Sequence, residues 1–141
     1  MAVILTHFQN PQQIDAMTPA ATIDEFFTAY LEAALFSTGD DDGQPLDKNY
    51  TRDSIEPETL AVLHAHCLSF LARALPYIEA EDGVTNRIQQ AGRDFWFTSQ
   101  GHGCGFWDGD WPTQGGLLTD MSKCYPSELN LIVTAEGGLA L

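Results

Sequence analysis

Apolar positions recur at helical spacing through the first half of the chain. Ile23, Phe26, Phe27, Tyr30, Leu31, Ala34 and Leu35 share one broad stripe, which predicts a helix over 22–37. Thr22 and Glu25 have capping-box spacing, Asp24 and Glu25 lie at the positive end of the helix dipole, and Gly39 is placed to end the run. A second stripe of Leu60, Leu63, Cys67, Phe70, Leu71 and Ala74 predicts a helix from Pro57 to about Glu79, with Pro76 kinking or ending it. Thr85 is placed to cap a third, short helix through Ala91, stopped by Gly92.

From Asp94 the period changes. Phe95, Phe97 and Ser99 alternate with Trp96 and Thr98, which predicts a strand. The glycine-rich centre then turns the chain, Gly105 to Trp107 returns it as a partner strand, and Trp111-Pro112 ends the hairpin. Gly115 to Tyr125 holds a short helix with Leu117, Leu118 and Met121 facing inward. Leu129 to Thr134 is a strand, joined by the turn at Glu136-Gly137-Gly138 to a last short strand over 139–141. Residues 1–21 read as a leader in which Ala2 to Leu5 form a short strand or packed arm, and 38–55 is a loop with an acidic head. The expected class is α+β: two to three N-terminal helices packed on a small C-terminal antiparallel sheet, in a single domain over 1–141.

Charge narrows the function. The chain has 20 acidic and 6 basic residues, a net −14. Affinity for a nucleic-acid backbone comes from Lys and Arg neutralising phosphates, so direct nucleic-acid binding is not expected. An anionic membrane surface is disfavoured for the same reason. Such a field attracts basic proteins and cations. Cys67, Cys104 and Cys124 are odd in number and irregularly spaced, which points to a reducing compartment instead of a disulfide framework. The start, MAVILTHFQN, lacks the basic region of a signal peptide, and no apolar stretch approaches the roughly 20 residues of a membrane span.

Three segments, YLEAALFSTGDDDGQPLDKNY (30–50), DSIEPETL (53–60) and AGRDFWFTSQGHGCGFWD (91–108), resemble a family of small proteins encoded by tailed bacteriophages and related mobile elements. The resemblance extends from the first helix to the last strand. It implies a phage setting and the cytoplasm of the host bacterial cell, and it brings no catalytic residues with it. Cys104 falls where a small residue such as Ala is usual in that pattern, so a thiol is not part of any shared chemistry.

The candidate chemistry is concentrated in two places. In the acidic loop, Thr38, Asp40, Asp42 and Gly43 fit positions one, three, five and six of a calcium loop. Asn49 then stands where a bidentate Glu is needed and Pro45 where a short strand forms, so a solvated acidic turn or a contact surface is the better reading. On the second helix, His64 and His66 are two residues apart and point to different faces. His64 is expected as a core histidine, His66 as exposed and Cys67 as a small buried hydrophobe.

Around Gly101-His102-Gly103-Cys104-Gly105, the set His102, Cys104, Asp108 and Cys124 matches no zinc spacing, and a Cys-His dyad lacks an identifiable orienting acid. No GK[ST] follows the glycines, so they are not a phosphate loop. In an alternating strand one member of each pair Phe95-Trp96 and Phe106-Trp107 faces outward, and Trp111, beside Pro112, is the expected surface aromatic. The function expected is an acidic interaction protein. It binds a host protein through a basic, nucleic-acid-binding surface of a defence or replication factor, as an inhibitor or DNA mimic. The contact residues are Asp40, Asp41, Asp42, Asp47, His102, Trp107, Asp108, Asp110 and Trp111. No catalytic residue, metal ligand or cofactor is assigned, and oligomeric state is not readable. The alternative is a small metal-binding or Cys-His enzyme centred on the 101–108 turn.

Overall fold

A computed structural model describes residues 18–141. The arm expected at Ala2 to Leu5 lies outside the described residues. Four helices follow in order: α1 (Ala20–Ser37), α2 (Pro57–Ala80), α3 (Arg87–Ser99) and α4 (Gly115–Ser122). A two-stranded antiparallel sheet, β1 (Ile132–Val133) with β2 (Leu139–Ala140), closes the chain. The α+β class stands, with four helices among the described residues in place of two to three and a smaller sheet than expected.

The stripe of α1 is buried as its spacing requires. The helix starts two residues before the expected cap. Thr22 and Ile23 donate their amides to the Pro19 carbonyl at 3.0 and 3.1 Å, and no side chain caps the end, so the Thr22–Glu25 capping box does not form. α2 begins at Pro57, where the missing amide is one the first turn leaves unpaired anyway. It runs through Pro76 to Ala80, keeping Ile78 in the core. An 18-residue window of α2 has a mean hydropathy of 1.2, so length and composition alone would let it span a membrane, more than the sequence reading granted. Leu63, Cys67, Phe70, Leu71 and Ala74 on its inner face are those of a core helix.

The largest departure from the sequence expectation is α3. The strand expected at 95–99 is the second half of this helix, and Gly92, expected to stop it, sits inside it. A Cβ on Gly92 would collide with the Phe26 carbonyl oxygen, so the glycine is there for close approach of α3 to α1. α3 also meets α2 and α4. Surrounded in this way, it buries the consecutive residues Asp94, Phe95 and Trp96. Phe95 stacks on Phe70 of α2 with ring centroids 4.1 Å apart, and Trp96 meets Tyr30 of α1 edge-on at 5.4 Å. The Trp96 indole N–H donates to Ser37 Oγ at 2.8 Å.

The expected return strand at Gly105–Trp107 is likewise absent; that segment folds as turns over α3. In α4, Leu118 and Met121 face inward as expected, while Leu117 is exposed. Its N-terminal end is held from a distance. The buried Glu81 accepts the Thr113 and Gln114 amides on Oε1 at 3.0 and 2.8 Å, supplying negative charge where the helix dipole is positive. β1 pairs with β2 in the register Ile132↔Ala140 and Val133↔Leu139, and Leu139 also bridges to Ile55, tying the C-terminus to the start of α2.

Gly92→Ala forces a methyl group against a backbone carbonyl that has no rotamer to yield. The expected cost is about 1–3 kcal/mol, read as a lower urea midpoint. A midpoint indistinguishable from wild type would show that the α1–α3 approach is not close. Glu81→Ala strands two amides and is expected to cost about 1–2 kcal/mol in the same measurement.

Candidate functional site

The acidic loop is preformed. Asp40 Oδ1 accepts the amides of Asp42 and Gln44, both at 2.9 Å, and Gly43 turns the chain with φ of 79°. Gly39 bridges to Pro45, and the buried Leu46 anchors the far side, its amide donating to the Thr38 carbonyl at 2.8 Å. Asp40 is therefore occupied by the backbone of its own turn, whereas Asp41, Asp42 and Asp47 are exposed. Asp47 also lines a groove of about 660 Å³ between α1, the 47–52 turn and α3, floored by Leu31 and Leu35 and edged by Phe36, Tyr50 and Phe97.

The glycine-rich segment starts where α3 ends. Gly101, with φ of 73°, takes the left-handed turn that lets His102 donate its amide to the Phe97 carbonyl at 2.9 Å. The His102 ring packs against Phe97, centroids 5.4 Å apart. His102 shares a cleft of about 350 Å³ with Ser37, Thr38 and Gly39 at the root of the acidic loop, while none of the expected contact acids lines it. Gln100 lines the same cleft and clamps the C-terminal segment, donating to the Pro126 carbonyl at 2.8 Å and accepting the Leu129 amide at 2.9 Å.

Farther along, Gly105 presses its backbone on Thr98, whose Oγ1 accepts the Phe106 amide at 3.0 Å. Asp108 Oδ2 accepts the Gly105 amide at 3.1 Å and closes the turn. Trp107 is left at its tip, 54% exposed, with Asp108 and Asp110 exposed beside it. Among the described residues no hydrogen bond joins this turn to the acidic loop.

Trp111 corrects the sequence reading. It is 2% exposed and cannot serve as a surface contact. Its indole N–H donates to Asp94 Oδ2 at 2.7 Å, which also accepts from Gln90 Nε2 at 3.1 Å. A buried indole needs an acceptor, and Asp94 on α3 is the one within reach. Of the two aromatic pairs, only Phe106-Trp107 splits between inside and outside; Phe95 and Trp96 are both buried.

The electrostatics follow from this packing. Burial lifts the Asp94 carboxyl above its usual range; hydrogen bonds from Gln90 and Trp111 oppose the rise, and the charges of Asp108 and Asp110 add to it. Burial also pushes the Cys104 thiol up, with Asp108 and Asp94 adding to the shift. That is the reverse of what a nucleophilic thiolate needs. His64, expected in the core, is half-buried with its ring edge-on to Phe27 at 5.0 Å and lines a surface groove beside α2. His66, expected to be exposed, is half-buried beside Tyr125; burial lowers its pKa, and its Nδ1 has no hydrogen-bond partner among the described residues. Cys67 is fully buried and its thiol is pushed well up by burial. Among the described residues no three His, Cys, Asp or Glu side chains converge as a metal site would need.

Comparison with protein-family models, curated proteins and solved structures finds no match to this chain. The structural carboxylates Glu81 and Asp94 were not singled out by sequence. Asp94 has one legible signal, its place directly before the apolar run Phe95-Trp96-Phe97, where an unpaired charge would be costly; Glu81, between Ala80 and Asp82, has none.

A carboxyl whose folded pKa lies above its unfolded value holds its proton more tightly in the fold. Its contribution to stability is present below the ordinary value near 3.8 and is lost as pH rises through the raised value. Asp94→Asn keeps an acceptor for Trp111 and removes this loss. The stability difference between variant and wild type should therefore move in the variant's favour as pH rises above about 4, in urea titrations at several pH values. A pH-independent difference would contradict the burial of an ionisable Asp94. Trp111→Phe removes the donor and should destabilise by about 1–3 kcal/mol at neutral pH.

Proposed function

We propose that the chain is a phage-type acidic protein that acts by binding a host protein with a basic, nucleic-acid-binding surface, as an inhibitor or DNA mimic, in the host cytoplasm. The observation that carries this reading is an acidic surface left almost wholly unneutralised. Apart from Asp15, which lies outside the described residues, and the buried Glu81 and Asp94, the acidic side chains reach the surface. The ion pair found among the described residues is Arg87 with Asp82, at 3.8 Å. Charges not spent on internal pairs project a field that steers a basic partner over roughly the 8 Å screening length of physiological salt.

The contact residues best supported are Asp41, Asp42 and Asp47 on a rigid loop, His102 in the cleft at its root, and Trp107 with Asp108 and Asp110 on the glycine turn. Preformed loops lose little entropy on binding, and an exposed tryptophan is an effective anchor. A DNA mimic in the strict sense requires these carboxylates to form one phosphate-like row. The alternative of a metal or Cys-His centre at 101–108 is weakened by the raised Cys104 thiol, the Phe97 contact of His102 and the turn-closing role of Asp108.

The test is affinity capture from host-cell extract with elution along a salt gradient, comparing wild type with Trp107→Ala and with Asp41→Asn/Asp42→Asn. Asp40 is left intact because it holds the loop together. A stoichiometric basic partner is expected at low salt, retained about tenfold less tightly by each variant. Absence of such a partner, or full retention by both variants, overturns the proposal.

A further inference from the structure

The exposed face of α2 is unlike the rest of the surface. From Thr59 to Ala72 the helix carries no charged side chain, in a chain of net charge −14. Its inner face is spent on the core, yet only 33% of its most apolar window is buried. Outside remain Ala61, Val62 and Ala65, all exposed with Val62 at 43%, and the half-buried Leu68 and Ala72. Positions 61, 65, 68 and 72 repeat at the four-three spacing of a helix-pairing seam. A shallow groove of about 400 Å³ borders the same face, lined by Leu60, Ala61, His64, Ala65 and Leu68 of α2 and, across from them, by Phe27 and the cationic Arg52.

We infer that this face pairs with the same face of a second copy of the chain, in an antiparallel two-fold dimer. Charge selects the occupant. Two copies carrying −14 each repel wherever acids meet, and the Thr59–Ala72 face is where they approach without that cost. The basic partner proposed above finds no acid here to recognise, and an anionic membrane is repelled by the remaining surface.

Charge also selects the orientation. Glu58 and Arg73 stand at opposite ends of the uncharged stretch, both exposed. With the two-fold axis midway between Ala65 and Leu68, Arg73 of one copy comes within about 3 Å along the axis of Glu58 of the other, twice per dimer. A parallel pairing would set Glu58 against Glu58. The alanines at 61, 65 and 72 let the helices approach to about 8 Å. This inference stands apart from the host-partner proposal and uses none of its residues.

Sedimentation equilibrium of the full chain at tens of micromolar tests it. The expected mass is twice the 15.5 kDa of one chain, not reduced by added salt. Ala65→Glu places an acid at the centre of the seam, on a side chain exposed in the single chain, so circular dichroism should be unchanged while the mass halves and melting falls only by what association contributes. Arg73→Glu should weaken dimerisation by about tenfold and Glu58→Arg/Arg73→Glu should restore it. A wild-type mass of one chain, or an Ala65→Glu variant that keeps both its fold and the dimer mass, overturns the inference. A double variant as weak as Arg73→Glu overturns the antiparallel arrangement.

Discussion

The structure depends on the close approach of α3 to α1 at Gly92. With no side chain there, the α3 backbone comes against the Phe26 carbonyl and the Ala29 methyl. That spacing lets Phe95 stack on Phe70 and sets Trp96 against Tyr30. The other flank of α3 then becomes a scaffold: Thr98 takes the Phe106 amide, and Asp94 takes the Trp111 indole. The glycine-rich segment is thus held from a helix, not from a partner strand. What it leaves in solvent, Trp107 with Asp108 and Asp110, is what α3 has no use for.

This explains which parts of the fold are legible in the sequence. α1 and α2 are amphipathic helices with one partner-facing side, so their spacing names both their extent and their buried residues. α3 has partners on several sides, and its helical period is clear only across its full length; its second half taken alone reads as a strand. Phe95-Trp96-Phe97 then looks like alternation. Gly92 compounds the error, because a glycine required for close packing and a glycine that ends a helix are the same letter. The burial of Trp111 is hidden from the sequence for a related reason. Its neighbour Pro112 suggests a surface turn, while its acceptor lies 17 residues earlier on α3 and is visible only once both are folded. The acidic loop, by contrast, was legible because Asp-x-x-Gly turns are made by local hydrogen bonds, as Asp40 and Gly43 make them here.

The fate of the carboxylates divides along the same physical line. Glu81 is buried at the α4 terminus, where two backbone amides and the helix dipole compensate its desolvation. Asp94 has an indole and an amide side chain as donors but no cation, and two further acids nearby, so its burial is compensated only in part and its proton is held more tightly. Among the other described acids Asp40 and Asp108 accept backbone amides and Asp82 pairs with Arg87, but all of them keep contact with solvent. A predominantly acidic surface is the consequence, and it would make association with anything basic a matter of long-range attraction followed by local fit.

The charge-free face of α2 is the complement of that surface. Mutual repulsion among exposed acids weakens as salt rises, and so does attraction to a basic partner; apolar contact between α2 faces is indifferent to salt or strengthened by it. The two proposed modes of association would therefore respond to ionic strength in opposite directions and use different residues, Asp41, Asp42 and Trp107 for one and Ala61, Ala65 and Leu68 for the other. A second copy held through α2 would also double the acidic loops presented to one partner. Two weak salt-sensitive contacts in one particle bind far more tightly than either alone, provided the partner spans both. On that argument the apolar helix face and the acidic loops would be parts of one binding particle, the first setting how many of the second a basic surface meets at once.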